Sequence, residues 1–112
     1  MKPVVILTAA LLAMSAASTA RGDTVGDYTK NCASCHGPDG KGQTKMGEKL
    51  KIKDLTDPKV QAEFTDEQAM KDISDGLKDE KTGKVTMPAR KDKLSPDQIK
   101  GLVGFVRAFK GR

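Results

Sequence analysis

Cys32-Ala33-Ser34-Cys35-His36 holds both cysteines and the single histidine of this 112-residue chain. Two thiols three residues apart lie on one helical turn, a spacing that suits two vinyl groups on adjacent pyrroles of a haem. Each thiol would add across one vinyl, and the imidazole after the second would then lie under the iron and offer a neutral nitrogen from the proximal side. Two other chemistries use such a pair. A dithiol redox centre follows a strand in an alternating strand and helix pattern, whereas the residues before Cys32 look helical. Zinc needs four ligands, so these three would have to recruit a carboxylate, and the adjacency of Cys35 and His36 makes a tetrahedral set awkward. Covalent attachment of haem through Cys32 and Cys35 uses all three residues.

Haem ligation of this kind requires the right compartment, and the opening residues speak to that. Met1-Lys2 is a short positive start, Val4 to Ala13 is an apolar run interrupted by Thr8, and Ser18-Thr19-Ala20 places small residues before Arg21. This order reads as a secretory leader over residues 1–20, cleaved after Ala20. An uncleaved anchor would need about 20 apolar residues to span a bilayer, more than the run supplies. With no cysteine near the cleavage point to carry a lipid, we expect a soluble periplasmic product, residues 21–112, forming one domain without stable membrane insertion.

A domain of that length is marginal on its own core. Its aromatic residues are Tyr28, Phe64, Phe105 and Phe109. A haem held by two thioethers would add a large flat apolar body for helices to pack around. With both cysteines committed to it, no disulfide is expected despite the oxidising location.

Charge is distributed unevenly along the chain. Without Lys2 there remain 19 basic and 15 acidic side chains, a formal +4. Residues 41–53 carry Lys41, Lys45, Lys49, Lys51 and Lys53 against Glu48, residues 54–80 hold nine acidic and three basic side chains, and residues 81–112 hold nine basic and two acidic. A dipolar surface of this kind either steers the molecule toward an acidic partner or simply keeps it solvated. Nucleic acid is a poor partner for a chain with an export leader and a compensating acidic segment.

The mature chain reads as helices joined by loops. Asp23 can cap a helix running from about Thr24 into Cys35, with Val25, Tyr28 and Cys32 on one face. Gly37-Pro38-Asp39-Gly40-Lys41-Gly42 breaks it. Residues 43–58 show no sustained period and read as loop, with Leu50, Ile52 and Leu55 available to cover a haem edge. A short helical turn can begin at Asp57-Pro58. Thr65-Asp66-Glu67-Gln68 is a capping box that opens a helix with Ala69, Met70 and Ile73 on its apolar side and Gly76 at its end. Residues 78–94 read as a polar loop without regular structure. Ser95-Pro96-Asp97-Gln98 then starts the last helix, which carries Ile99, Leu102, Val103, Val106 and Phe109 at helical spacing. Gly101 and Gly104 each cost a helix about 1 kcal/mol relative to alanine, which suggests close packing there against the first helix.

With these residues in place the chain resembles the class I monohaem cytochromes c of bacteria. The resemblance rests on the helix ending in Cys32-Ala33-Ser34-Cys35-His36-Gly37, on Met87-Pro88 about fifty residues later and on the terminal Leu102-Val103-Gly104-Phe105-Val106-Arg107 helix. It covers about Thr24 to Lys110. It implies an all-α fold with the first and last helices crossing beside a covalently bound haem, one or two shorter helices between them, and a role as an electron shuttle. Members of that family often place a proline in the loop after the attachment motif, whose carbonyl holds the proximal histidine's other nitrogen. Residues Thr44 to Leu50 contain no proline, and Pro38 lies close to His36, so some other carbonyl would have to take that part.

The mature chain offers Met46, Met70 and Met87 as a sixth ligand. Met70 falls on the apolar face of a helix, where packing is its ordinary role. Met46 is ten residues beyond His36 and would need a tight wrap to reach the opposite face. Met87 precedes a proline that restrains its backbone, which suits a ligand strap. We therefore expect His36 as proximal and Met87 as distal iron ligand, and one-electron carriage with no substrate transformed at the iron. Lysines of residues 41–53 with Lys84, Arg90, Lys91 and Lys93 would ring the haem crevice and dock redox proteins through acidic patches, the protein itself being a monomer. Arg90 or Lys49 could instead pair with a haem propionate. Two other functions use the same motif: a haem enzyme or gas sensor with an open sixth position, and an electron-transfer subunit held in a larger oxidoreductase.

Overall fold

Local signals place most of the elements. The computed structural model describes residues 2–4 and 17–112; the leader expected at residues 1–20 lies largely outside the described residues. No helix among those described is long and apolar enough to cross a membrane.

Helix α1 (Ala17–Asn31) leads into the single turn α2 (Ala33–His36). The one helix expected from an Asp23 cap into Cys35 thus starts earlier, at Ala17, with Asp23 inside it, and divides at Cys32, whose φ of −127° and ψ of −36° leave the helical range. The backbone bonds from Cys32 N to Tyr28 O and from His36 N to Cys32 O, both 2.9 Å, carry the chain across the break. Gly37, at φ +82°, ends α2 in a conformation open to glycine. Tyr28 and Cys32 are buried, but Val25 is 52% exposed, so the apolar face is narrower than the spacing suggested.

The stretch read as loop after residue 43 contains helix α3 (Lys45–Lys49). The Thr44 hydroxyl accepts from Gly47 N at 2.8 Å and donates to the carbonyl of Cys35 at 2.8 Å, so one side chain both starts α3 and fastens it to the attachment turn. Helix α4 (Pro58–Gln61) begins at the expected place, with the Asp57 carboxylate accepting from Lys59 N. Helix α5 (Asp66–Asp75) is capped by Thr65, whose hydroxyl accepts from Gln68 N, and ends at Gly76 with φ +77°.

The polar segment after Gly76 is not irregular throughout. Strands β1 (Leu77–Lys78) and β2 (Val85–Met87) pair antiparallel, with Leu77 opposite Met87. Helix α6 (Pro96–Arg107) opens on the full capping box, in which Ser95 Oγ accepts from Gln98 N and Gln98 Oε1 accepts from Ser95 N.

Helices α1 and α6 pack on each other. An aromatic cluster joins them: the Tyr28 ring lies 4.7 Å from Phe105 on α6 and 5.4 Å from Phe109 in the turn after α6, not on the helix as expected, and the two phenylalanines meet edge to face at 5.4 Å. Such pairs add about 0.5–1.5 kcal/mol each beyond area burial. Ile73, Leu94, Ile99, Leu102 and Val103 complete the core. Close packing holds for one α6 glycine only. A Cβ on Gly101 would stand 3.0 Å from Thr24 Oγ1, while one on Gly104 would meet nothing within 4 Å.

The end of α6 also secures the chain between α4 and α5. Arg107 donates to the Asp66 carboxylate at 2.7 Å, to Gln61 O and Oε1, and to Phe64 O at 2.7 Å, with its guanidinium 4.2 Å from the centre of the Phe64 ring. The buried Gln61 amide donates to Leu55 O and Val106 O. All of these elements are helical apart from the hairpin, and the fold is all-α.

A candidate haem site

Two adjoining cavities, about 350 and 170 Å³, lie between the attachment turn and the strap after β2. They share Cys32, His36, Ile73, Leu77 and Met87 in their walls. Cys35, Leu50, Ile52, Pro88 and Arg90 line the larger space. Leu55, Phe64, Leu102, Val103 and Val106 line the smaller. Together they fall in the size range of cofactor pockets, and their walls are mostly apolar with a few polar groups, as such pockets are.

Each chemically active side chain owes its place to a nearby element. Cys32 precedes the α2 turn and Cys35 lies within it, both as free thiols, the first buried and the second half-buried. Burial pushes the Cys32 thiol up to about 11, with the Arg90 cation partly opposing it. Burial also pulls the His36 imidazole below its ordinary value, which favours the neutral ring that can donate a lone pair. Tyr28 Oη donates to Gly37 O at 2.6 Å and Gly42 N to His36 O at 2.7 Å, so the backbone is pinned at the histidine and just after it. Gly47 lets α3 press against this turn: a Cβ there would stand 2.5 Å from Cys35 O and would also collide with Gly42 O.

The structure brings Cys32, Cys35, His36 and Met87 to one cavity and leaves the other two methionines elsewhere. Met46 is 45% exposed on α3. Met70 sits on α5 beside a separate pocket with Ser74, Leu94 and Ile99. No carbonyl replaces the missing family proline within hydrogen-bond reach: His36 Nδ1 is the one buried side-chain polar atom among the described residues that has no partner. No group of three or more His, Cys, Asp and Glu side chains among the described residues is arranged to hold a bare metal ion. The cavity walls missed in the sequence include Leu77, Thr86 and Phe64. A turn signal at Thr82-Gly83 before the β-branched Val85-Thr86 pair could have located the first two.

A haem fits this donor set and these walls, with two thiols and an imidazole on one side and a thioether sulfur on an apolar strap. Comparison with known proteins agrees. The family model for cytochrome c matches residues 20–110. The chain belongs to the cytochrome c family. Among solved structures, this cytochrome is similar to the c-type cytochrome KustC0563, with 34% identity and a TM-score of 0.67 over 78% of this chain and 96% of the other. A tyrosine-to-phenylalanine mutant of Kustc0563 gives 34% identity and a TM-score of 0.66 over 79% and 99%. No curated protein matches the sequence. The cytochrome is therefore an electron-transfer haem protein and not an enzyme, and its cofactor is haem c, covalently bound with its iron.

Proposed function

We propose that the mature chain is a periplasmic single-electron shuttle whose haem is joined to Cys32 and Cys35 and ligated by His36 and Met87. The observation that carries this reading is that His36 and Met87 line the same two apolar cavities, which neither Met46 nor Met70 does. The apolar run ahead of Arg21 supports export.

Bound haem supplies an iron that changes charge by one between its ferric and ferrous states. The protein's part is to hold it. Cys32 and Cys35 would hold it as thioethers, each thiol supplying one S–C bond and its hydrogen to a vinyl group, which would need no external oxidant or reductant. His36 and Met87 would both hold the iron, which would leave no place there for a substrate. Leu55, Phe64, Leu102 and Val103 make the wall of the smaller cavity apolar, which would disfavour the more highly charged ferric state. The neutral soft sulfur of Met87 favours ferrous iron as well. Both effects would raise the reduction potential.

Absorption and redox titration of the holoprotein beside Met87→Ala tests the ligand set. The variant should lose the weak red-end band that reports methionine ligation and should have a lower potential; an unchanged spectrum contradicts the assignment.

Electron exchange then requires a partner at the cavity mouth. Lys45 and Lys49 of α3 and Lys84 before β2 are exposed, whereas Lys53 is taken up by Glu63 at 2.7 Å. These exposed cations favour an acidic docking face on a redox partner protein. Association should slow as salt rises from low to physiological ionic strength, where screening acts over about 8 Å. Indifference to salt excludes this mode of docking.

A further inference from the structure

The strap from Val85 to Arg90 is fastened more closely than a ligand loop needs in order to follow the chain. Behind Met87, β2 pairs with β1. Beneath it, Gly76 touches the strap backbone to backbone, since a Cβ there would stand 2.5 Å from Met87 O and 2.7 Å from Ala89 N. At its far end Arg90 N donates to Ile73 O at 3.0 Å, and Arg90 O accepts from Lys93 N and Leu94 N, each at 2.9 Å. Of these, the bond to Ile73 O and the close approach of Gly76 tie the strap to the end of α5. One contact ties it across the cavity instead: Arg90 Nη2 donates to Asn31 O at 3.1 Å.

Asn31 is the last residue of α1 and precedes Cys32. Its carbonyl belongs to the negative end of the helix, where a cation is favourable and an acceptor is otherwise left open. Arg90 therefore joins the side of the cavity that carries Met87 to the side that carries Cys32, Cys35 and His36, and its own side chain is part of the cavity wall.

We propose that Arg90 is a positioning residue: by latching the Met87 strap to the end of α1 it fixes the separation of the two axial ligands and keeps small exogenous ligands from displacing Met87. The inference rests on the assignment of Met87 as distal ligand. It differs from a propionate role for Arg90, in which the guanidinium would serve the haem carboxylates and not the helix end.

The test measures imidazole binding to the ferric holoprotein for wild type, Arg90→Ala, Arg90→Lys, Gln98→Ala and Met87→Ala, with intact mass confirming that haem is attached in each. Losing a hydrogen bond from a charged donor should let the strap part more often and raise imidazole affinity about tenfold in Arg90→Ala. The red-end methionine band should persist in that variant without imidazole. Arg90→Lys keeps the charge on a single shorter-reaching donor and should give a smaller rise in the same direction. Gln98→Ala removes the α6 cap and the Gln98 bonds to Asp27 on α1, touches neither the strap nor the Asn31 carbonyl, and should keep the wild-type affinity.

Equal affinity in wild type and Arg90→Ala overturns the proposal, as does an equal rise in Gln98→Ala, which would reflect general loosening. Should Arg90→Ala not accumulate with haem, Arg90→Lys decides: wild-type affinity there overturns it. If Met87→Ala keeps the wild-type band, the ligand assignment fails and takes this inference with it. A wild-type band that Met87→Ala abolishes, beside unaltered imidazole binding in the Arg90 variants, leaves the assignment standing and removes the latch alone.

Discussion

Gly101 and Gly104 are three residues apart on one helix and look alike in the sequence, yet they sit in different surroundings. Alanine at Gly104 fills open space and removes the conformational cost of glycine, so Gly104→Ala should stabilise the holoprotein by about 1 kcal/mol. In a domain of this size that is a rise in Tm of about 4–8 °C. Alanine at Gly101 meets the Thr24 hydroxyl at 3.0 Å, so its gain should be smaller or absent. Thermal unfolding of the two variants checks the order, and an equal or reversed effect contradicts this packing. The same limit governed the rest of the site. Cys32, Cys35 and His36 could be read as a unit because their spacing is itself the chemical signal. Choosing among Met46, Met70 and Met87 needed the backbone restraint imposed by Pro88 and the periodicity around Met70. The unpartnered His36 Nδ1 was only half legible: the missing proline is visible in the sequence, but whether another carbonyl reaches the ring depends on contacts made in three dimensions.

Elements were legible where their ends are written in capping chemistry. Thr65, Asp57 and Ser95 each mark a start that forms, and Gly76 a stop. Helix α3 escaped notice because five residues are too few to show a hydrophobic period, and its stability comes from the Thr44 bonds and the close approach of Gly47 to the attachment turn. The hairpin escaped for a related reason. Strands of two and three residues with exposed Leu77 and Val85 give no alternation to read. It is held by pairing across the ladder and by the Asp79 carboxylate, which accepts from Lys81 N at 2.8 Å and Thr82 N at 3.1 Å to shape the turn. Both short elements position the haem cavity, one beneath Cys35 and the other behind Met87. Local pattern thus gave the frame of the fold, and tertiary contact supplied the parts that finish the site.

At the scale of the molecule, the chain has few large side chains with which to build a core. Those it has are gathered into the aromatic contact of α1 with α6 and the Arg107 clamp, leaving an apolar hollow flanked by thiols, an imidazole and a thioether sulfur. A small domain organised around such a hollow is completed by a cofactor that stays attached. The most direct measurement is the intact mass and absorption spectrum of the protein, made together with the haem-ligation machinery, beside a Cys32→Ala, Cys35→Ala double variant. We predict that the wild type carries the mass of one haem through denaturation and shows a Soret band, and that the double variant retains neither once denatured. Bare polypeptide mass with no Soret absorbance in the wild type would contradict the account.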